Sequence, residues 1–174
     1  ERPMNGREIL LGVTGGIAAY KAAALTSKLV QAGAKVRVIM TQAATQLVGP
    51  KTFEALSGRP VLLDLWQDDG HPHLLCAAPA TANFLAKAAC GLADDLLSTL
   101  YLAFDGPVIV APAMNTRMWQ KPAVQRNVAQ LRADGVILIG PEDGFLSCRH
   151  RGPGRMSEPD AIFQLIAETL PKQE

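Results

Sequence analysis

Short apolar runs alternate with amphipathic segments along most of the chain. The first run, REILLGV, stops at TGG, and alanine and leucine residues then recur at helical spacing, at positions 18, 22, 25 and 29. The apolar run predicts a β-strand and the repeat predicts a helix. We expect this helix to end at Gly33, because glycine readily adopts the left-handed conformation that closes many helices.

The same alternation continues to the end of the chain. Later strands are predicted at AKVRVIM, LLCAA, PVIVAPA and VILIG. Helices are predicted from Pro50 to near Gly58 and at TANFLAKAACG, ADDLLSTLYLAF, PAVQRNVAQLRADG and PDAIFQLIAETL. Alternating strands and helices predict an α/β fold, in which a doubly wound parallel sheet carries helices on both faces. A length of 174 residues favours one domain over 1–174.

Composition narrows the possible partners. The formal charge of +1 argues against a nucleic-acid partner. No apolar run is long enough to span a membrane. The N-terminal ERPMNGRE is too polar for a signal peptide, so we expect a cytoplasmic protein. The three cysteines lack CxxC spacing, which predicts neither a zinc ribbon nor a paired redox motif, and no metal site is expected.

Parallel α/β sheets bind ligands where loops leave the carboxyl ends of the strands. The first such loop, TGGIAAYK, fits neither GxGxxG nor GxxxxGK[ST], but its Gly-Gly turn opens a helix whose N–H groups could bind a phosphate. A tight turn without a ligand is the alternative. After the second strand, Thr41 could add a hydroxyl to the same phosphate or simply cap a helix.

The loops after the third and fourth strands are also polar. In PATAN, Thr81 and Asn83 face the same sheet edge, although a helix cap would explain them without any ligand. In PAMNTRMW, Asn115 could hold a carboxylate or a flavin edge. Met114 and Met118, four residues apart, are typical of core packing.

Cys148 lies in a loop with several cations, namely Arg149, His150, Arg151 and Arg155. Nearby cations lower the pKa of a thiol, and glycines would let this loop move over a site. An inert surface thiol is the alternative. Cys76 and Cys90 are expected to behave as small core hydrophobes.

These loops together resemble the flavin-containing cysteine decarboxylase family, most closely its bacterial branch that acts on 4'-phosphopantothenoylcysteine. APATANFLAKAACGLADDLLST is similar to the family's PASANT-type segment, PAMNTRMW matches PxMNxxMW, and SCRHRGPGRM is similar to its cysteine-containing substrate loop. The likeness runs from about residue 8 to about residue 170.

The resemblance implies a Rossmann-like or flavodoxin-like flavoprotein that uses FMN to convert 4'-phosphopantothenoylcysteine to 4'-phosphopantetheine in coenzyme A biosynthesis. It implies that Asn115 and Met114 bind the substrate and that Cys148 donates the final proton. The residues implied for FMN are Gly15, Gly16, Ile17, Thr41, Thr81, Asn83, Ser98 and Ala113. A homo-oligomer is expected on the same analogy, either a homotrimer or a dodecamer of trimers. Alternatives are a peptide-cysteine decarboxylase of lantibiotic type and a non-catalytic FMN-binding regulatory subunit.

The sequence departs from the family where the catalytic base belongs. The family's histidine lies about a dozen residues before the AP of the third strand, whereas His73 stands only six residues before Pro79. The resemblance implies His73 as the base, in preference to His71, because Pro72 would not suit the helical stretch that follows the base. Either a segment between His73 and Leu74 is missing from the sequence, which we favour, or a true deletion displaces the base.

Overall fold

A computed structural model describes residues 3–64 and 70–171 of the chain. Its main sheet is parallel, with strand order β2-β1-β3-β4-β5. The strands are β1 (Glu8–Val13), β2 (Lys35–Met40), β3 (Leu74–Ala80), β4 (Val108–Pro112) and β5 (Ile137–Leu138). This confirms the predicted parallel sheet, and the order is that of flavodoxin-like folds. The order reverses direction between β1 and β3, which is where such sheets bind their ligands.

Helices cover both faces of the sheet, as predicted. They are α1 (Ala19–Gln31), α2 (Gln42–Thr45), α3 (Pro50–Ser57), α4 (Ala82–Cys90), α5 (Leu96–Ala103), α6 (Thr116–Trp119), α7 (Pro122–Ala133) and α8 (Pro159–Thr169). Successive residues of β1 point to opposite faces, so Ile9 and Leu11 join a core with α1, α3 and α8, whereas Leu10 joins a core with α4, α5 and α7. No helix in the described part of the chain is long and apolar enough to cross a membrane.

A β-hairpin stands apart from the main sheet, where the sequence predicted only a loop. Its antiparallel strands are β6 (Glu142–Phe145) and β7 (Arg151–Arg155), and Cys148 lies in the turn between them. The hairpin docks on the loop after β4, because the N–H of Met114 donates to the carbonyl oxygen of Gly154 at 3.0 Å. Gly154 has φ 142°, and a Cβ there would overlap the Met114 carbonyl oxygen. The glycine therefore permits a backbone approach that no other residue allows.

Candidate functional site

A cavity of about 460 Å³ lies at the carboxyl edge of the main sheet, between the loops after β1, β3 and β4 and the hairpin. Most of the residues predicted for the site line it. They are Gly15, Gly16, Ile17, Thr81, Ala113, Met114, Asn115 and Cys148. We call this cavity the main pocket. Its volume is within the range of ordinary small-molecule sites.

Thr14 holds two walls of the main pocket together. Its buried hydroxyl donates to the carbonyl oxygen of Pro79 at 2.6 Å and accepts from the N–H of Thr81 at 3.0 Å. Its own carbonyl accepts from the N–H of Gly16 at 2.8 Å. One side chain thus fixes the turn after β1 against the loop after β3. Sequence reasoning missed Thr14, because its partners lie more than sixty residues away.

The turn before α1 presents backbone donors to the main pocket. The N–H groups of Gly15, Ile17 and Ala18 have no backbone acceptor among the described residues. Unused N–H groups at the start of a helix favour an anion, because the helix dipole adds to their partial positive charge. This turn therefore suits a phosphate group.

Three predicted polar side chains act as helix N-caps. Thr41, Thr81 and Asn115 each accept a hydrogen bond from the backbone N–H three residues later, at 3.2, 3.2 and 2.8 Å. The simpler alternative from the sequence is therefore realised for Thr41 and Thr81, whereas the cap formed by Asn115 was not predicted. A cap uses only a side-chain oxygen as acceptor, so each hydroxyl or amide can still donate to a ligand.

Three predicted FMN residues lie outside the main pocket. Thr41 lines a second cavity of about 630 Å³, although its N–H donates to Val13 at 3.1 Å and so keeps it beside the first turn. Ser98 is fully buried and lines neither cavity. Asn83 is exposed and also lines neither. The structure therefore leaves Ser98 and Asn83 away from the rest of the site, whereas Thr41 lies next to the turn that borders the main pocket.

Ser98 instead forms a capping box with Asp95 at the start of α5. The carboxylate of Asp95 accepts from the backbone N–H of Ser98 at 2.8 Å and from its hydroxyl at 2.7 Å, and Lys87 lies 3.3 Å away. Burial acts to raise the pKa of Asp95, but these hydrogen bonds and the charge of Lys87 outweigh it, and the pKa is lowered from its usual value of 3.8.

This lowered pKa predicts an acid-sensitive cap. A carboxyl group whose pKa is lower in the folded state stabilises the fold above its unfolded pKa, and the stabilisation disappears as the pH falls through the folded value. We therefore expect Asp95→Asn to flatten the loss of stability below about pH 4. Urea denaturation of both proteins across this range measures it. The control is Asp105→Asn in the exposed segment after α5, and an identical flattening there would contradict the prediction.

Cys148 is exposed at the mouth of the main pocket, in a turn that hydrogen bonds close. The N–H of Leu146 donates to His150 at 2.9 Å, and the N–H of Arg149 donates to Leu146 at 2.8 Å. Arg149 has φ 66°, a left-handed conformation that is uncommon for a residue other than glycine. The turn thus holds the thiol in a defined place beside the pocket.

The other cysteines behave differently from each other. Cys76 is buried in β3, as predicted, and burial raises the pKa of its thiol to about 12. Cys90 was expected to be a core residue, but it is exposed because it occupies the last turn of α4. Among the described residues, no group of histidine, cysteine or carboxylate side chains could hold a metal ion.

The structure separates His73 from Cys148. His73 comes directly before β3. Its ring Nδ1 accepts from the backbone N–H of Glu8 at 3.0 Å, and its backbone N–H donates to the Glu8 carbonyl oxygen at 2.8 Å. These bonds hold the ring at the amino edge of the sheet, and β3 extends seven residues to the opposite edge. At ~3.3 Å per residue the two edges are roughly 20 Å apart. Among the residues that the structure describes, no histidine therefore lines the main pocket.

Several residues that line the main pocket were missed from the sequence. Tyr20 and Lys21 follow the Gly-Gly turn, and Phe145 and Ser147 come from the hairpin. Ile17, Tyr20 and Phe145 each expose more than half of their surface. The position of Tyr20 and Lys21 in the first turn of α1 was the available signal.

Residues 1–171 match the family model described as Flavoprotein. The chain belongs to the flavoprotein family. Within this family, it is 48% identical over 173 residues to the coenzyme A biosynthesis bifunctional protein CoaBC of Bacillus subtilis (strain 168), which covers 93% of this chain and 43% of that protein. The chain thus spans less than half the length of this curated relative.

Two solved structures in the comparison share the fold over almost their whole length. The FMN-dependent cysteine decarboxylase SpaF is 35% identical with a TM-score of 0.82, over 95% of this chain and 96% of that chain. A PPC decarboxylase mutant complexed with pantothenoylaminoethenethiol is 31% identical with a TM-score of 0.80, over 92% of this chain and 96% of that chain. Both structures agree with a flavodoxin-like α/β fold for this chain.

The match to the Bacillus subtilis protein also bears on the short spacing after His73. The alignment has 173 positions, but it contains only 93% of the 174 residues of this chain. Some of its positions therefore hold no residue of this chain. The relative therefore carries residues inside the matched region that this chain lacks. A shortened segment before β3 would account for them and for the position of His73.

Proposed function

We propose that this chain is an FMN-dependent decarboxylase that converts 4'-phosphopantothenoylcysteine to 4'-phosphopantetheine in coenzyme A biosynthesis. The observation that carries the proposal is the main pocket, where Asn115 and Cys148 lie with the unused N–H groups of the Gly-Gly turn. The similarity to a bifunctional coenzyme A biosynthesis protein and to a solved PPC decarboxylase supports this substrate.

The residues present fit FMN. The donors at the start of α1 suit its phosphate, and Ala113, Met114 and Met118 give the main pocket an apolar wall for a flat ring. Bound FMN would supply the two-electron redox chemistry that makes loss of a carboxylate easy. Thr41, on the other side of the first turn, is proposed to donate its hydroxyl to the same cofactor.

The chain's own side chains would orient the substrate and move a proton. Because the cap occupies only Oδ1 of Asn115, its Nδ2 can donate to the substrate carboxylate and fix its direction. Cys148 at the mouth is proposed to protonate the substrate carbon after the carboxylate has left.

We infer that the chain forms a homo-oligomer, a homotrimer or a larger assembly of trimers, and that it acts in the cytoplasm. Four large apolar side chains around the main pocket support self-association, because exposed apolar clusters of this kind usually mark interfaces. Their exposed fractions range from 43% for Met118 to 61% for Tyr20, and the others are Ile17 and Phe145.

The test uses the purified protein, a matched variant and two substrates. We expect a yellow protein that retains FMN and releases carbon dioxide from 4'-phosphopantothenoylcysteine but not from a peptide ending in cysteine. Turnover of the peptide instead would favour the lantibiotic type of enzyme, and a protein that takes up no FMN would contradict the proposal.

Asn115→Asp is the matched variant for this test. Aspartate is as good an N-cap as asparagine, so α6 should keep its cap and the protein its stability. The new carboxylate would repel the substrate carboxylate, and we expect kcat/KM to fall at least about 100-fold, which corresponds to about 2.7 kcal/mol. Unchanged turnover would remove Asn115 from the proposed site.

A second candidate function is FMN binding without turnover. The position of His73, at the edge of the sheet opposite the main pocket, favours it. The FMN binding protein AtHal3, 31% identical with a TM-score of 0.77, is among the similar structures. A yellow protein that releases carbon dioxide from neither substrate would select this candidate.

A further inference from the structure

Glu158 connects two walls of the main pocket through one carboxylate oxygen. Its Oε1 accepts from Lys21 Nζ at 2.8 Å and from Arg155 Nη2 at 3.2 Å. Lys21 belongs to α1, Arg155 belongs to β7, and both side chains line the main pocket. The carboxylate therefore joins the helix behind the Gly-Gly turn to the hairpin that carries Cys148.

The Glu158 carboxylate interacts with the two cations and does not cap its own helix. Glu158 is the N-cap residue of α8 and precedes Pro159, but its side chain makes no capping hydrogen bond. Lys21 has 14% of its side chain exposed and Glu158 has 49%, so the ion pair is sheltered on the lysine side only. Such a pair is screened less by water and salt than a fully exposed one.

Arg155 is the anchor at the base of the hairpin. It pairs with Glu142 across β6 and β7, but the side-chain charges are 3.9 Å apart, a longer contact than the one with Glu158. Arg155 Nε is buried and has no hydrogen-bond partner among the described residues. Of the two ion pairs that Arg155 forms with described residues, the one with Glu158 is the shorter.

We propose that Glu158 is a positioning residue that sets the distance between Cys148 and a ligand in the main pocket, by holding the base of the hairpin against α1. The part of this inference that concerns turnover rests on the proposed decarboxylase function. Glu158 acts through Lys21 and Arg155 and takes no part in the proton transfer itself.

The test compares Glu158→Gln, which keeps the size of the side chain and removes its charge, with Glu168→Gln on α8. Both are made in a Cys90→Ser background, so that Cys148 is the reactive thiol. In Glu158→Gln we expect kcat to fall about tenfold, because even a small displacement of a reacting group lowers the rate strongly. KM and the FMN content should change less. The rate of Cys148 alkylation should change at least about twofold, because the hairpin opens more easily.

Two comparisons keep the result decisive. Glu158→Asp should recover part of kcat. Arg155→Gln should have the same effect as Glu158→Gln. Combining Arg155→Gln with Glu158→Gln should add little further loss, because both remove the same contact. Glu168→Gln should match the parent. A lower melting temperature with unchanged kcat and alkylation rate would overturn the proposal. The alkylation rate needs no turnover, so it decides the positioning role even if the chain proves to have no decarboxylase activity.

Discussion

We expect Cys148→Ser to abolish net formation of 4'-phosphopantetheine. Turnover should fall at least about 100-fold, and the FMN content should be unchanged. A serine hydroxyl holds its proton far more tightly than a thiol does. It therefore cannot donate a proton to the substrate carbon at a useful rate. The serine variant should release carbon dioxide once and stop at an enethiol product. The solved PPC decarboxylase that was complexed with pantothenoylaminoethenethiol carries a cysteine-to-serine substitution.

Single-turnover measurements check this prediction. Carbon dioxide is counted against enzyme, and the organic product is identified by mass spectrometry. Cys90→Ser is the control, since Cys90 is exposed at the end of α4 and does not line the main pocket. Sustained turnover by Cys148→Ser would show that another group supplies the proton.

Gly154→Ala is expected to be the most damaging substitution for stability, with a loss of about 2–4 kcal/mol in the free energy of unfolding. The new Cβ would overlap the carbonyl oxygen of Met114, a backbone atom that cannot move without disturbing the loop after β4. The backbone of Gly154, at φ 142°, also disfavours any side chain. The hairpin should undock, and turnover should fall with it.

Gly135→Ala separates strain from overlap. Gly135 has φ 88°, but a Cβ there would meet no atom within 4 Å. We expect this control to lose only about 1 kcal/mol, because left-handed strain is then the single cost. Urea denaturation of both variants gives the comparison, and equal losses would show that the approach to Met114 matters little.

The sheet and its helices could be predicted because their signals are local. The apolar run of β1 and the helical spacing that follows Ala18 are each contained in a few residues. The hairpin could not be predicted in the same way. Gly152 and Gly154 suggest a loop when only their neighbours are considered, but both are required because β7 approaches Thr116 and Met114 closely.

The predicted site divides along the same line. Gly15, Gly16 and Thr81 line the main pocket because each follows a strand that ends at this edge, whereas Cys148 reaches it in the turn of the hairpin. Ser98 follows no strand. Its spacing from Asp95 is that of a capping box, a local signal that was available and that explains its burial.

Thr14 has a consequence for how the pocket meets its cofactor. Since the Thr14 hydroxyl donates to Pro79 and accepts from Thr81, both at the end of β3, the turn after β1 is already fixed against the loop after β3 before any ligand arrives. Little conformational entropy is then lost when a ligand binds, and more of the interaction energy remains as affinity. On this basis the protein should bind its cofactor again after the cofactor has been removed, without a refolding step.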